Sequence, residues 1–401
     1  MPQNDNSDDA TIALHAGDQE RVVGQPVSPA PVLSTTYFTH PDAAGFSASD
    51  LQRNAPHFYS RWSNPTLELL EARLAALEQG EAALSFASGM AAIAALFQDR
   101  LQSGDHLVLS DVCYAGVAEY AHHALPRAGI AVTAVDTSDP QKVAATMRPE
   151  TRLVHIETPA NPILKLTDIA ALAEVAHAYG AELSVDSTIA TPIGTKPIAL
   201  GADYVVHSLT KYLCGHGDAL GGAVIGKADR IAGMRKNGLI HGGGVLSPFS
   251  AYLILRGMET LPLRMARHEA NARLVEDFLA QHPKVQKVLW PGSVRHPQHE
   301  LARAQMRNFS GLLSFSVKSQ SLELARQLAE RLKVFSYAVS LGKTKSLLFY
   351  IPTDDLLRSS FPLEGEAADD YRDWAGEGVF RVSVGLEEPD DLIGDLEEAL
   401  D

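Results

Sequence analysis

Residues 204–222 read YVVHSLTKYLCGHGDALGG, an apolar run that stops abruptly at two hydroxyls and a lysine. Tyr204 to Val206 has the composition of a short buried strand, and it runs into His207-Ser208-Leu209-Thr210-Lys211. Gly215, Gly217, Gly221 and Gly222 come next, so the segment past the strand is too glycine-rich for ordinary helix. An amine at the mouth of a sheet forms a Schiff base when its pKa is lowered. Ser208 and Thr210 stand beside it as hydroxyls for an anion. Amine and hydroxyls together suggest an aldehyde cofactor with a phosphate tail, pyridoxal phosphate (PLP). The competing reading is a surface lysine after a strand, since lone lysines are mostly solvated.

The surroundings of this stretch favour a sheet. From Ala82 to Gly226 the short apolar runs are AALSFA, HLVLS, IAVTAV, RLVHIE, AELSVD, DYVVHS and GGAVIG, with helical stretches such as 89–101, 142–148 and 168–178 between most of them. Strand–helix alternation predicts a largely parallel sheet covered on both faces. Ligands of open α/β sheets bind at the carboxyl ends of the strands. Those ends carry Ser88-Gly89-Met90, then Glu157 followed by Thr158-Pro159-Ala160-Asn161-Pro162, then Asp186, then Ser208 and Lys211. Ser88-Gly89-Met90 opens a helix, whose free N–H groups and dipole make an anion site. Each of these residues alone reads equally well as an N-cap, a turn or a solvated end; their shared edge argues for a site.

Away from this unit the reading is coarser. Residues 1–60 show weak periodicity and many turn formers, and read as an extended arm that packs on something else, such as another subunit. Pro65 opens a helix with an apolar stripe of Leu67, Leu70, Leu74 and Leu77. Residues 227–270 read mostly as helix, interrupted by Gly242-Gly243-Gly244. A second α+β unit comes after it, with strands expected near 285–289, 311–317, 333–340, 346–350 and 379–384 and helices at 321–331 and 389–400. The division predicted is an arm (1–62), a large domain (63–255) and a C-terminal α+β domain (256–401).

Bulk properties narrow the function. The chain has 401 residues, 45% hydrophobic and 21% charged, a folded globular composition. Its net charge of −15 argues against nucleic acid and anionic membranes as partners. Two cysteines, Cys113 and Cys214, form neither a disulfide framework nor a metal cluster, which suits a reducing compartment. The start, MPQNDNSDDA, is polar and acidic, unlike a signal or transit peptide, and no apolar run approaches membrane-spanning length. A cytoplasmic enzyme without a metal is the expectation.

PLP makes definite demands on a protein. Lys211 is the candidate to hold it covalently. Asp186 is the carboxylate that keeps the pyridine nitrogen protonated, because an adjacent negative charge favours the cation. Gly89, Met90, Ser208, Thr210 and Arg61 are candidates for the phosphate. Tyr114, just after HLVLS, is placed to stack on the ring, worth about 1 kcal/mol. Arg381, in Val379-Phe380-Arg381-Val382-Ser383, is the candidate for the substrate carboxylate, against the alternative of a surface arginine beside Glu387 and Glu388.

Taken together, these blocks give a sequence that resembles the Cys/Met-metabolism family of PLP enzymes: cystathionine γ-lyase, cystathionine γ-synthase, methionine γ-lyase and cystathionine β-lyase. The resemblance runs from Leu14-His15-Ala16-Gly17 to Val384-Gly385-Leu386-Glu387. It is carried by Tyr59-Ser60-Arg61 with Asn64-Pro65-Thr66, Ser88-Gly89-Met90, Glu157-Thr158-Pro159 with Asn161-Pro162, Val185-Asp186-Ser187-Thr188, Ser208-Leu209-Thr210-Lys211-Tyr212 with Gly215-His216, and Ser340-Leu341-Gly342. It implies a PLP aminotransferase-like (fold type I) large domain with a mostly parallel seven-stranded sheet, a smaller α+β C-terminal domain, and a homotetramer of two tight dimers. It also implies that Tyr59 and Arg61 reach a neighbour's site, that Asn161 bonds the cofactor's phenolic oxygen, and that Ser340 sits near the substrate carboxylate.

Two departures bear on specificity. The tyrosine loop reads Tyr114-Ala115-Gly116-Val117, so Gly116 stands where methionine γ-lyases carry a cysteine. Lys345 stands where cystathionine enzymes place a glutamate, which weakens cystathionine, with its distal ammonium, as substrate. The segment from Phe349 to Trp374 looks longer and more acidic than usual, and His241 is a further candidate lining residue. The resemblance implies a γ-lyase acting on a γ-substituted amino acid, with Lys211 moving the Cα and Cβ protons and Tyr114 assisting the leaving group. The departures make an unusual substituent attractive, such as that of canavanine or an acylated homoserine. γ-Replacement and β-elimination remain as alternatives.

Overall fold

The computed structural model describes residues 9–18, 22–24, 26–40, 47–48, 57–318 and 321–401. The polar start at 1–8 and parts of the expected arm, including 41–46 and 49–56, lie outside the described residues.

The apolar runs form strands where periodicity placed them: β1 (Ala82–Phe86), β2 (His106–Ser110), β3 (Ala131–Val135), β4 (Thr151–Glu157), β5 (Glu182–Asp186), β6 (Tyr204–His207) and β7 (Gly222–Gly226). They build one seven-stranded sheet in the order β1-β7-β6-β5-β4-β2-β3. Only β7 runs against its neighbours; the remaining pairs are parallel. Successive strand side chains point to opposite faces. Leu84, Phe86, Tyr204, Val206 and Val224 accordingly pack with Ala92, Leu96 and Phe97 on one side. Ala83, Val205, Ala223 and Ile225 pack with Leu70, Leu74 and Leu77 on the other. Both faces being covered explains why the strands read as continuous apolar runs rather than alternating ones.

A second, five-stranded sheet has the order β10-β11-β12-β9-β8. Its strands are β8 (Val285–Leu289), β9 (Leu312–Val317), β10 (Ser336–Tyr337), β11 (Leu347–Pro352) and β12 (Gly378–Ser383). Its core stacks Phe315 on Phe380 at 4.9 Å beneath helices Leu261–Gln281, Ser321–Arg331 and Pro389–Leu400.

The helices that bear on the strand ends are α1 (Asp9–His15), α2 (Pro65–Glu78), α3 (Gly89–Arg100) and α4 (Ala115–His123). Asn64 caps α2 by accepting from Thr66 N, and Pro65 occupies its first turn. The expected extended arm is partly helical: α1 buries Ala13 within this chain's own core beside Leu70 and Leu74. Beyond it, Val32 N donates to Thr66 Oγ1 at 2.9 Å and Asn64 Nδ2 to Val32 O at 2.9 Å, tying the arm to the start of α2. The strand expected at 333–340 shrinks to Ser336–Tyr337. Asp395 draws the N–H groups of Lys333, Val334 and Phe335 away from any ladder. The helical reading of 227–270 breaks into Ala228–Met234, a π-helical turn Arg235–His241, Pro248–Met258 and the start of the long helix Leu261–Gln281.

Candidate active site

β6 ends at His207, fully buried and bonded to Glu78 of α2 at 2.5 Å. The chain then turns sharply, with Ser208 N donating to Thr188 Oγ1 at 2.8 Å and Lys211 N to Ser208 O at 3.2 Å. Gly215 has φ +74°, and a Cβ there would lie 2.2 Å from the Arg264 guanidinium, so only glycine fits. Arg264 in turn donates to the carbonyls of Tyr212 and Gly257, both at 2.7 Å, and so pins the loop. Lys211 is held between the two sheets: its Nζ donates to Ser340 Oγ at 3.1 Å. Burial, with the charges of Arg381 and Lys343, brings its amine down to about 8. The lysine is thus not a solvated surface residue.

Next along the edge stand two carboxylates. Glu157 and Asp186 occupy matched positions on β4 and β5. Asp186 accepts from Thr188 N at 3.0 Å. Glu157 accepts from Tyr114 N at 2.5 Å and from Asn161 N at 2.8 Å. Desolvation pushes both carboxyls up, Glu157 to about 8 with the Asp186 charge adding to it. Burial of the two acids side by side thus favours their uncharged forms, and a cation brought against either one favours its carboxylate.

Asn161, Arg381 and Ser340 complete a linked chain. Arg381 of β12 donates to Asn161 Oδ1 at 2.9 Å and to Ser340 O at 3.1 Å. It does not sit with Glu387 and Glu388; those residues engage Ser346 and Arg267. Ser340 adopts φ +95°, unusual for a non-glycine residue, at the point where it meets both Lys211 and Arg381.

The phosphate candidates divide. Ser88 caps α3 by accepting from Ala91 N at 3.1 Å. The helix start is pressed on the lysine turn: a Cβ on Gly89 would lie 3.0 Å from Ser208 Cβ, and one on Gly222 2.1 Å from Ser88 O. Small residues therefore form a cradle with Ser208 Oγ on its rim. Thr210 is different; its hydroxyl donates to Gly221 O at 3.3 Å and accepts from Gly221 N at 3.0 Å, so it also ties the loop together. Tyr114 is half exposed at the start of α4, its ring lying over Gly116, where a Cβ would be 2.9 Å from the ring and 3.4 Å from Met90 Sδ.

Other expectations fall elsewhere. Arg61 donates to Ile240 O and lies 5.5 Å over the ring of Tyr59, both outside the chain of contacts around Lys211. His241 is exposed. The charge that acts on Lys211 from the segment after Ser340 is that of Lys343; Lys345 is exposed. Sequence reading missed Lys343 and the buried Glu78–His207 pair, and no local pattern marks either. Glu157 was visible as a strand end, but not as the acceptor that orients Tyr114 and Asn161. The residues fit PLP: an amine of lowered pKa, a buried carboxylate whose charged form a cation would favour, and a helix N-terminus over a small-residue cradle. Among the described residues no group of three or more His, Cys, Asp or Glu side chains is arranged to hold a metal ion, and no helix is long and apolar enough to cross a membrane.

Comparison with known proteins agrees with this geometry. The family model for Cys/Met metabolism PLP-dependent enzymes matches residues 10–401. An L-methionine gamma-lyase of Pseudomonas putida is 42% identical over 392 residues, covering 98% of this chain and 96% of that protein. A canavanine gamma-lyase of Pseudomonas canavaninivorans is 39% identical over 395 residues, covering 98% and 96%. The crystal structure of cystathionine gamma-lyase from Lactobacillus plantarum complexed with L-serine superposes with a TM-score of 0.86 at 33% identity, covering 98% of each chain.

Proposed function

This chain belongs to the Cys/Met metabolism family of PLP-dependent enzymes, and we propose that it is a lyase carrying out γ-elimination on a γ-substituted L-amino acid of the methionine, cystathionine or homoserine type. The observation that carries the reading is the continuous set of contacts Lys211–Ser340–Arg381–Asn161–Glu157–Tyr114, with Asp186 beside Glu157. The similar γ-lyases support elimination at Cγ.

When bound, PLP supplies the electron sink that stabilises negative charge on the substrate's Cα. Lys211 would anchor it and, as a free amine, would take the Cα proton, give that proton up, and only then take a Cβ proton; an amine brought to about 8 is suited to both. Asp186 would be the carboxylate that pairs with the ring nitrogen, a cation there favouring its charged form. The N–H groups of Gly89 and Met90 with Ser208 Oγ would hold the phosphate. Arg381, fixed by Asn161 and Ser340, presents its guanidinium to the substrate's α-carboxylate. Tyr114, half exposed, would stack on the ring and deliver a proton to the departing γ-group. Burial of Lys211 and the carboxylate pair keeps water from these proton transfers.

We further read the chain as an arm (1–62), a large unit (63–255) and a smaller one (256–401), assembled as a homotetramer of two tight dimers. Two features support a shared site. Phe38, Val27 and Val23 on the arm are exposed apolar side chains, and Arg61 with Tyr59 stands apart from Lys211. We assign both to the phosphate site of a partner. Two buried free cysteines suit a cytoplasmic setting.

The test is a product assay. Holoenzyme incubated with L-methionine or O-acetyl-L-homoserine is expected to release 2-oxobutanoate and ammonia in equal amounts. Thioether formed only when a thiol is added, with no 2-oxobutanoate otherwise, overturns elimination in favour of replacement.

A further inference from the structure

The segment after Ser340 runs back along the lysine loop. A Cβ on Gly342 would lie 2.6 Å from Tyr212 N and 3.1 Å from the carbonyl carbon of Lys211. Thr344 N donates to Gly215 O at 2.9 Å. Between these two contacts Lys343 crosses Gly217 so closely that a Cβ there would lie 2.5 Å from Lys343 Cε and 3.0 Å from its Nζ. The half-buried Lys343 side chain is therefore laid along the loop that carries Lys211.

The cations of this region differ in their partners. Lys211 has the Ser340 hydroxyl, and Arg381 has Asn161 Oδ1 and Ser340 O. Among the described residues the Lys343 side chain forms neither an ion pair nor a hydrogen bond, although the chain carries 49 acidic residues against 34 basic ones. An ammonium without a counter-charge is free to pair with an arriving anion. The Lys343 charge is near enough to lower the Lys211 amine, on which it acts as a like charge, and its side chain lies along the loop that carries that lysine.

We propose that Lys343 is a specificity residue that pairs with an anionic group, a carboxylate, sulfonate or phosphate, at the far end of the substrate's γ-substituent. The inference rests on the γ-elimination reading. Arg381 takes the α-carboxylate; Lys343 takes a second anion. Lys345, exposed two residues on, is not part of it.

Binding of unreactive ligands tests this without turnover. L-2-aminoadipate and L-norleucine have the same chain length and no leaving group, and differ in a distal carboxylate. Titrated calorimetrically into holoenzyme, aminoadipate is expected to bind about tenfold tighter than norleucine. Lys343→Met should bring that ratio to about one, Lys343→Glu should invert it, Lys343→Arg should keep it, and Lys345→Met should leave it as in wild type. A wild-type ratio of one or less overturns the proposal whatever the variants do, as does a ratio that survives Lys343→Met. The elimination reading is judged separately, by 2-oxobutanoate from the neutral O-acetyl-L-homoserine. Product with no binding preference removes Lys343 alone; a Lys343-dependent preference with no product removes the reaction and leaves the anion site.

Discussion

Lys211 Nζ donates to Ser340 Oγ at 3.1 Å, joining residues 129 positions apart and the edges of two different sheets. The hydroxyl holds the amine at the mouth of the large sheet, while the same residue's carbonyl accepts from Arg381. Lys211 and Arg381, to which proton transfer and carboxylate binding are assigned in the proposed function, therefore share one support.

The first consequence concerns pH. Only the free amine attacks an aldehyde, and the Lys211 amine is brought to about 8 from an ordinary value of about 10.4. Reconstitution of apoenzyme with PLP should speed up with rising pH and level off above about 8. Stopped-flow absorbance checks it; a rate still climbing to pH ~10, near the ordinary lysine value, contradicts a depressed lysine. Lys211→Ala should neither take up the cofactor covalently nor turn over.

Glu157 gives a stability test. Its folded value, about 8, lies above the ordinary 4.5, so its stabilising contribution is present below about 4.5 and lost as pH rises through about 8. Apo wild type should lose stability relative to apo Glu157→Gln across that window, by at most about 1.4 kcal/mol per pH unit. Urea melts at several pH values measure the difference. A difference that does not change with pH shows that Glu157 is charged throughout.

At Gly116 a methyl group meets the Tyr114 ring at 2.9 Å. Gly116→Ala should push the ring off its position and lower kcat about ten- to hundredfold, the scale of a misplacement of roughly 1 Å. The melting temperature should hardly move, because Gly116 and Tyr114 lie at the half-open mouth. Unchanged kcat would mean that the ring is free to find another productive position.

In the proposed assembly Arg61 serves a partner's site. Arg61→Ala and Lys211→Ala protomers, each inactive alone, should regain about a quarter of wild-type activity when unfolded together and refolded as an equal mixture, since random pairing of two shared-site protomers restores one intact site in half of the dimers. Absence of rescue places Arg61 in its own chain's site or outside any site.

Much of this protein was determined by the sequence alone. Seven apolar runs became seven strands because continuous burial on both faces leaves no alternation to confuse, and the polar residues that end or follow several of them marked the edge where Lys211, Asp186, Glu157 and Ser88 stand. Local chemistry was enough there: a strand, its last side chain and the next turn are neighbours in sequence. Tertiary structure decided the rest. That Glu157 faces Asp186 comes from the pairing of β4 with β5, and that Arg381 meets Asn161 comes from the docking of β12 across 220 residues. Thr210 turned inward to Gly221, and Lys343 rather than Lys345 came to lie along the lysine loop. A shift of two positions in a loop changes neither composition nor periodicity. It changes which side chain reaches the site, because the Gly342 contact on Lys211 and the Thr344–Gly215 hydrogen bond fix the direction of the loop between them.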